Sequence, residues 1–294
     1  MKYVPLFMLL WLAITPNIAN ARVVEIKLAD GLVITADYQA ADHSKPTIIL
    51  LHPFLQTRLF PTIRTLANHL ASNGFGVLTP TLSLGISYRR QNLACEAAHT
   101  QPFNQHTHEI KAWIKWLQQH NVRNIIGAGH GMGAIAMLAT ASSHGKPSPF
   151  SSLILVTLPY ISPQGGVRIN ASQLQKARAE KEKGLADFLG NYILAFCNRF
   201  IAPRDVYLSL SKWNQEEVLS HLAKLEIPAY VIIGSDDTVL NAQSWPDKIV
   251  TTGAKLIYID GAGHFFTGEQ ALSLYQAIVS ILETSHQVET TDAL

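Results

Sequence analysis

Six short runs in this 294-residue chain are almost wholly apolar: Thr47–Leu51, Phe75–Leu78, Ile125–Ala128, Leu153–Thr157, Tyr230–Ile233 and Leu256–Ile259. A strand wetted on one face alternates apolar and polar residues, whereas one covered on both faces does not. Between the runs, apolar residues recur at helical spacing: Ile63, Leu66, Ala67 and Leu70, then Ile110, Trp113, Ile114 and Leu117, then Ile135, Met137 and Leu138. Strand and helix signals in alternation predict a single α/β domain, a mostly parallel sheet with helices on both faces. Ahead of it, Val23–Leu28 and Leu32–Tyr38 flank the turn dipeptide Asp30-Gly31, which predicts a β-hairpin.

One stretch breaks the rhythm. Residues 163–226 carry helix-like periodicity, including a Lys/Arg/Glu-rich face over Gln173–Asp187, and no strand signal. It is expected to be a helical cap inserted over the sheet, with its charges on a solvated face. The polar residues 284–294 are expected to form a frayed tail.

At the start, Lys2 precedes the apolar run through Ile14, and Ala19-Asn20-Ala21 supplies small residues: a secretory signal peptide over residues 1–21. The run is shorter than the roughly 20 apolar residues of a spanning helix, so no stable membrane anchor is expected after cleavage. The expected location is periplasmic or secreted. An oxidising compartment would let Cys95 and Cys197 persist as a disulfide; on spacing alone, two buried thiols that never meet fit equally well. A formal net charge of +2 gives no electrostatic case for nucleic acid.

In open parallel sheets, ligands bind beyond the carboxyl ends of the strands. Four loops there read His52-Pro53-Phe54, Gly129-His130-Gly131-Met132-Gly133, Gly234-Ser235-Asp236-Asp237 and Gly261-Ala262-Gly263-His264-Phe265-Phe266. The order is a glycine turn, an acid and a histidine, and with the cap and "GAGHFF" it resembles the α/β-hydrolase fold superfamily over nearly the whole mature chain. In that family the turn is G-x-S-x-G, a strained elbow presenting a nucleophile; here Gly131 stands at its centre.

The resemblance implies His264 as base, Asp237 as the acid that orients it (Asp236 is the rival), and the backbone N–H groups of Met132 and Phe54 as an oxyanion hole. Pro53 departs from the frequent His-Gly and alters the aim of that hole. Leu82-Ser83-Leu84-Gly85-Ile86-Ser87, Arg89-Arg90, Cys95, His99, His106, His108 and Cys197 are similar to exported bacterial members, which favours a Cys95–Cys197 bridge.

Two other readings are weaker. Gly129-x-Gly131-x-x-Ala134 loosely matches a dinucleotide fingerprint, but the next acidic residue is Glu180, not one about 20 positions on. His106-Thr107-His108-Glu109 could be ligands, yet no further cluster accompanies them, so a surface or helix-start contact is expected, with Asn104 as a possible cap. No metal or cofactor is expected. The expected function is an exported hydrolase homologue without the serine, non-catalytic or weakly active, binding a small molecule or partner. The alternative is an enzyme using His264 and Asp237 as general base on water or an acidic proton.

Overall fold

The computed structural model describes residues 21–42, 45–143, 145–240 and 244–291, with side chains described as far as 284. The signal peptide expected over 1–21 therefore lies, but for Ala21, outside the described residues. Among the described residues no helix is long and apolar enough to cross a membrane.

The chain opens with β1 (Arg22–Lys27) and β2 (Val33–Gln39), an antiparallel hairpin around the Asp30-Gly31 turn. It continues through β3 (Thr47–Leu51), α1 (Pro61–Ser72), β4 (Gly76–Thr81), α2 (Phe103–Gln119), β5 (Ile125–His130), α3 (Met132–Ser143) and β6 (Ser152–Val156). After an insertion it resumes with β11 (Ala229–Gly234), α7 (Trp245–Val250), β12 (Lys255–Ile259) and α8 (Gln270–Thr291). One eight-stranded sheet runs β1-β2-β4-β3-β5-β6-β11-β12 and is parallel from β4 onward.

Burial on both faces explains the unbroken apolar runs of the central strands, whereas the run on β12, at the sheet edge, is only partly covered and leaves Tyr258 exposed. Every residue of β3, β5, β6 and β11 is buried. On one face, Ile63, Leu66 and Leu70 of α1 join Ile278 and Ile281 of α8 over Ile48, Leu50 and Ile126. On the other, Trp113 and Leu117 of α2 and Ile135 and Leu138 of α3 pack over Ile49, Leu51 and Leu153. At about 25 cal/mol per Å² of apolar surface removed from water, such two-sided burial is the main force holding the sheet.

The insertion corrects the expectation of a helical cap. It contains β7 (Ile161–Ser162), β8 (Val167–Arg168), α4 (Ala171–Glu182), β9 (Leu189–Leu194), β10 (Cys197–Pro203), α5 (Arg204–Ser211) and α6 (Gln215–Ala223). β9 and β10 form an antiparallel hairpin. Its turn holds Ala195 at φ +53°, a conformation that usually signals itself through Gly or Asn. Helix α4 starts at Ala171, capped by the Asn170 side chain on the Gln173 N–H, and stops short of the predicted Asp187.

A disulfide joins Cys95, in the loop after β4, to Cys197 in the cap. Backbone hydrogen bonds run beside it, from Ile201 N–H to the Cys95 carbonyl at 3.2 Å and from His99 N–H to the Ile201 carbonyl at 2.8 Å.

Three further expectations change. The backbone of 284–291, expected to fray, continues α8. His106 and Glu109 are buried rather than at the surface, while His108 is exposed. Pro102, not Asn104, stands at the cap position of α2, and Asn104 lies inside the helix.

Candidate functional site

Strand β5 ends in a turn so tight that three backbones meet. A Cβ at Gly129 would overlap the Gly133 carbonyl, and one at Gly133 would come within 2.5 Å of the His52 carbonyl oxygen. Those two glycines are therefore demanded by space. Gly131 is not. It has φ +57°, and a Cβ there would stand 3.6 Å from Pro53 Cβ, 3.9 Å from His264 Nε2 and 4.0 Å from Thr157 Oγ1, all ordinary contacts. Its N–H donates to the Val156 carbonyl at 2.9 Å, which fixes the turn against β6.

His264 arrives from the loop after β12. Its Nδ1 lies 2.9 Å from Asp237 Oδ2, and Asp237 is fully buried. The other carboxylate oxygen accepts from the N–H groups of Val239 at 2.9 Å and Leu240 at 3.2 Å. Asp236, the rival acid, is exposed and takes a 3.2 Å bond from the Ser235 hydroxyl. An Nδ1–H donated to Asp237 leaves Nε2 as the acceptor, on the side facing Gly131.

Met132 is the first residue of α3, so its N–H has no partner within the helix. Phe54 follows β3, and both residues border the same cavity as Gly131 and His264. The loop carrying Phe54 is held from below. His52 Nδ1–H donates to the Pro53 carbonyl at 2.8 Å, and His52 Nε2 accepts from the Leu82 N–H at 3.1 Å. Burial, with the Arg89 charge second, pushes His52 down to about 3.

Arg89 donates to the carbonyls of Leu82 and Gln56, each at 2.6 Å, of Gln91 at 2.9 Å and of Leu55 at 3.4 Å. Nearby, Glu109 accepts from the Ser83 N–H at 2.9 Å and from its hydroxyl at 2.5 Å. Burial raises Glu109 to about 7, opposed by the Ser83 bonds and Arg89.

Sequence reasoning did not give a role to three other residues. His130 is buried, and its Nε2–H donates to the His264 carbonyl at 2.9 Å; burial first, and His264 next, push it down to about 3. Thr157, at φ +47° and fully buried, turns its hydroxyl towards the Gly131 turn. Arg168 borders the cavity from the cap. Only the position of His130 inside the glycine motif marked any of them in the sequence.

The cavity holds about 450 Å³ and is walled mostly by apolar side chains, Phe54, Phe60, Phe196 and Phe265 among them. Chemically, the site offers a carboxylate-oriented imidazole, a helix N-terminus and an aromatic chamber around Gly131. Among the described residues no group of three or more His, Cys, Asp or Glu could hold a metal ion. His106 and Glu109 sit in the buried network under the loop, apart from His108.

A family model described as the alpha/beta hydrolase family matches residues 48–276. No curated protein sequence matches the chain. Similar solved structures include the alpha/beta hydrolase GrgF from Penicillium sp. sh18, at 15% identity and TM-score 0.67, covering 91% of this chain and 99% of that one. Est1E from Butyrivibrio proteoclasticus is 15% identical with TM-score 0.64, covering 90% and 98%. The thioesterase domain from the curacin biosynthetic pathway is 16% identical with TM-score 0.60, covering 88% and 99%.

Proposed function

The chain belongs to the alpha/beta hydrolase family, and from that premise we propose that it is an exported homologue without the serine nucleophile, binding a small molecule in the cavity over Gly131. The observation that carries this is the glycine itself: Gly129 and Gly133 have no room for a side chain, while Gly131 has room and lacks one. Losing a triad serine costs about 10⁶ in turnover, which removes ordinary acyl-enzyme chemistry. The Cys95–Cys197 disulfide supports export to an oxidising compartment. Short-chain p-nitrophenyl esters test the reading. The purified protein should turn them over far more slowly than ordinary esterases; a comparable rate, lost in His264→Ala, overturns it.

A second reading is favoured by the 2.9 Å bond between His264 and Asp237. Nε2 would take a proton from water while its oxygen attacks, or from an acidic carbon, with Asp237 stabilising the imidazolium. A substrate screen separates the two. Here His264→Ala abolishes turnover; under the first reading it changes binding at most.

A further inference from the structure

Among the described residues, the wall of the cavity over Gly131 holds one permanent cation and no acid. Arg168 is exposed, and among the described residues Gln56 and His264 supply the other polar side chains of the lining. Its guanidinium is held by neutral acceptors, with Nη2 donating to Asn198 Oδ1 at 2.7 Å and Nε to the Ala195 carbonyl at 3.3 Å. The Ala195 N–H returns a bond to the Arg168 carbonyl at 2.8 Å, so the residue and the tip of the β9–β10 hairpin fix each other. Among the described residues Arg168 forms no ion pair. Asp237 is fully buried and committed to His264 and the Val239 and Leu240 N–H groups.

A guanidinium fixed by two neutral partners keeps its charge and its remaining N–H donors for a planar acceptor, with little ordering entropy left to lose. Beside it rises an aromatic wall: Phe196 packs edge-on against Phe54 at 5.8 Å, and Phe60 against Phe265 at 5.8 Å. A chamber of about 450 Å³ falls in the range of small-molecule sites. A charged group buried at its floor would lose its water, whereas at the exposed rim it keeps much of it.

We infer that the cavity takes an amphipathic carboxylate, an aromatic or short acyl body inside and its carboxylate on Arg168, which thereby determines specificity. The inference rests on the small-molecule reading above and names the ligand class.

Calorimetric titration with 4-phenylbutyrate and its neutral amide, 4-phenylbutyramide, tests it. The acid should bind about fivefold more tightly than the amide, as suits a charge pair at an exposed rim. Arg168→Gln should erase that preference, Arg168→Lys should keep part of it, and raising the salt should shrink it. Should Arg168→Gln fail to fold, the Lys variant and the salt series decide. Equal binding of acid and amide, or a preference that survives Arg168→Gln or high salt, overturns the inference and leaves the small-molecule reading standing. Binding of neither probe at millimolar concentration overturns both.

Discussion

His130 Nε2–H donates to the carbonyl oxygen of His264 across 134 residues of sequence, at 2.9 Å. The first side chain of the elbow therefore holds the backbone of the residue whose imidazole faces the elbow's centre. His130→Phe would leave that carbonyl without its partner, at a cost of about 1–3 kcal/mol. Urea denaturation should register the loss, and hydrogen exchange should quicken at 261–268. His130→Gln, which keeps a donor, should recover part of both; identical exchange in all three proteins refutes the tether.

Gly131→Ser should fold and gain activity. Its cost is the positive φ alone, about 1 kcal/mol, because no neighbour obstructs the Cβ. The hydroxyl would be carried towards His264 Nε2, so p-nitrophenyl acetate turnover should rise at least tenfold over the natural protein and fall back in Gly131→Ser/His264→Ala. Gly129→Ala makes the contrast, since its Cβ overlaps the Gly133 carbonyl: it should cost about 3 kcal/mol or more in chemical denaturation.

Stability should depend on pH through buried groups with opposite signs. His52 and His130 are held down to about 3 and His106 to about 4, each chiefly by burial. Unfolding returns them to ordinary values near 6.5, so their contribution is present above that pH and lost as pH falls through it. Glu109, raised to about 7, works the other way: its contribution is present below about 4.5 and lost as pH rises through 7. Between pH 5 and 6 unfolding should take up about two protons, three by the histidines less one released from Glu109. Glu109→Gln should raise the uptake to about three, steepening the fall in stability on acidification by about 1.4 kcal/mol per pH unit. Denaturation midpoints from pH 5 to 7 for both proteins check the sign; a variant slope no steeper than the parent's refutes it.

Reducing the Cys95–Cys197 disulfide, which closes a loop of 102 residues, should cost about 4–5 kcal/mol by chain entropy. Thermal melts with and without dithiothreitol measure it. The melt of Cys95→Ser/Cys197→Ser should not respond to the reductant; an oxidised and a reduced protein that melt together would show that the bridge adds nothing.

The sheet was legible because each of its central strands is buried on both faces, which leaves a run such as Ile48–Leu51 with no polar residue to confuse the pattern. Gly131, Asp237 and His264 each lie in or beside a loop beyond the carboxyl end of a strand-like run, and the resemblance to the hydrolase superfamily gave those positions their expected roles. The cap hairpin was not legible. Its strands mix buried Tyr192, Leu194 and Phe200 with exposed Leu189 and Asn198, and its turn reads Ala195-Phe196 with no residue suited to positive φ. Burial of His106 and Glu109 was equally hidden, since both lie on α2 at positions whose polarity suits a wet face. What covers them comes from far along the chain, through Ser83 and the loop that Arg89 binds.

The convergence of backbones around Gly129 and Gly133 also bears on how such a chain changes over generations. Because the turn is locked by positions that no side chain can enter, its shape does not depend on what stands at 131. Chemistry and scaffold are thus separable at one residue. A lineage could lose its nucleophile without loosening the fold, and a single substitution would again place a side chain opposite an imidazole that is still oriented to receive its proton.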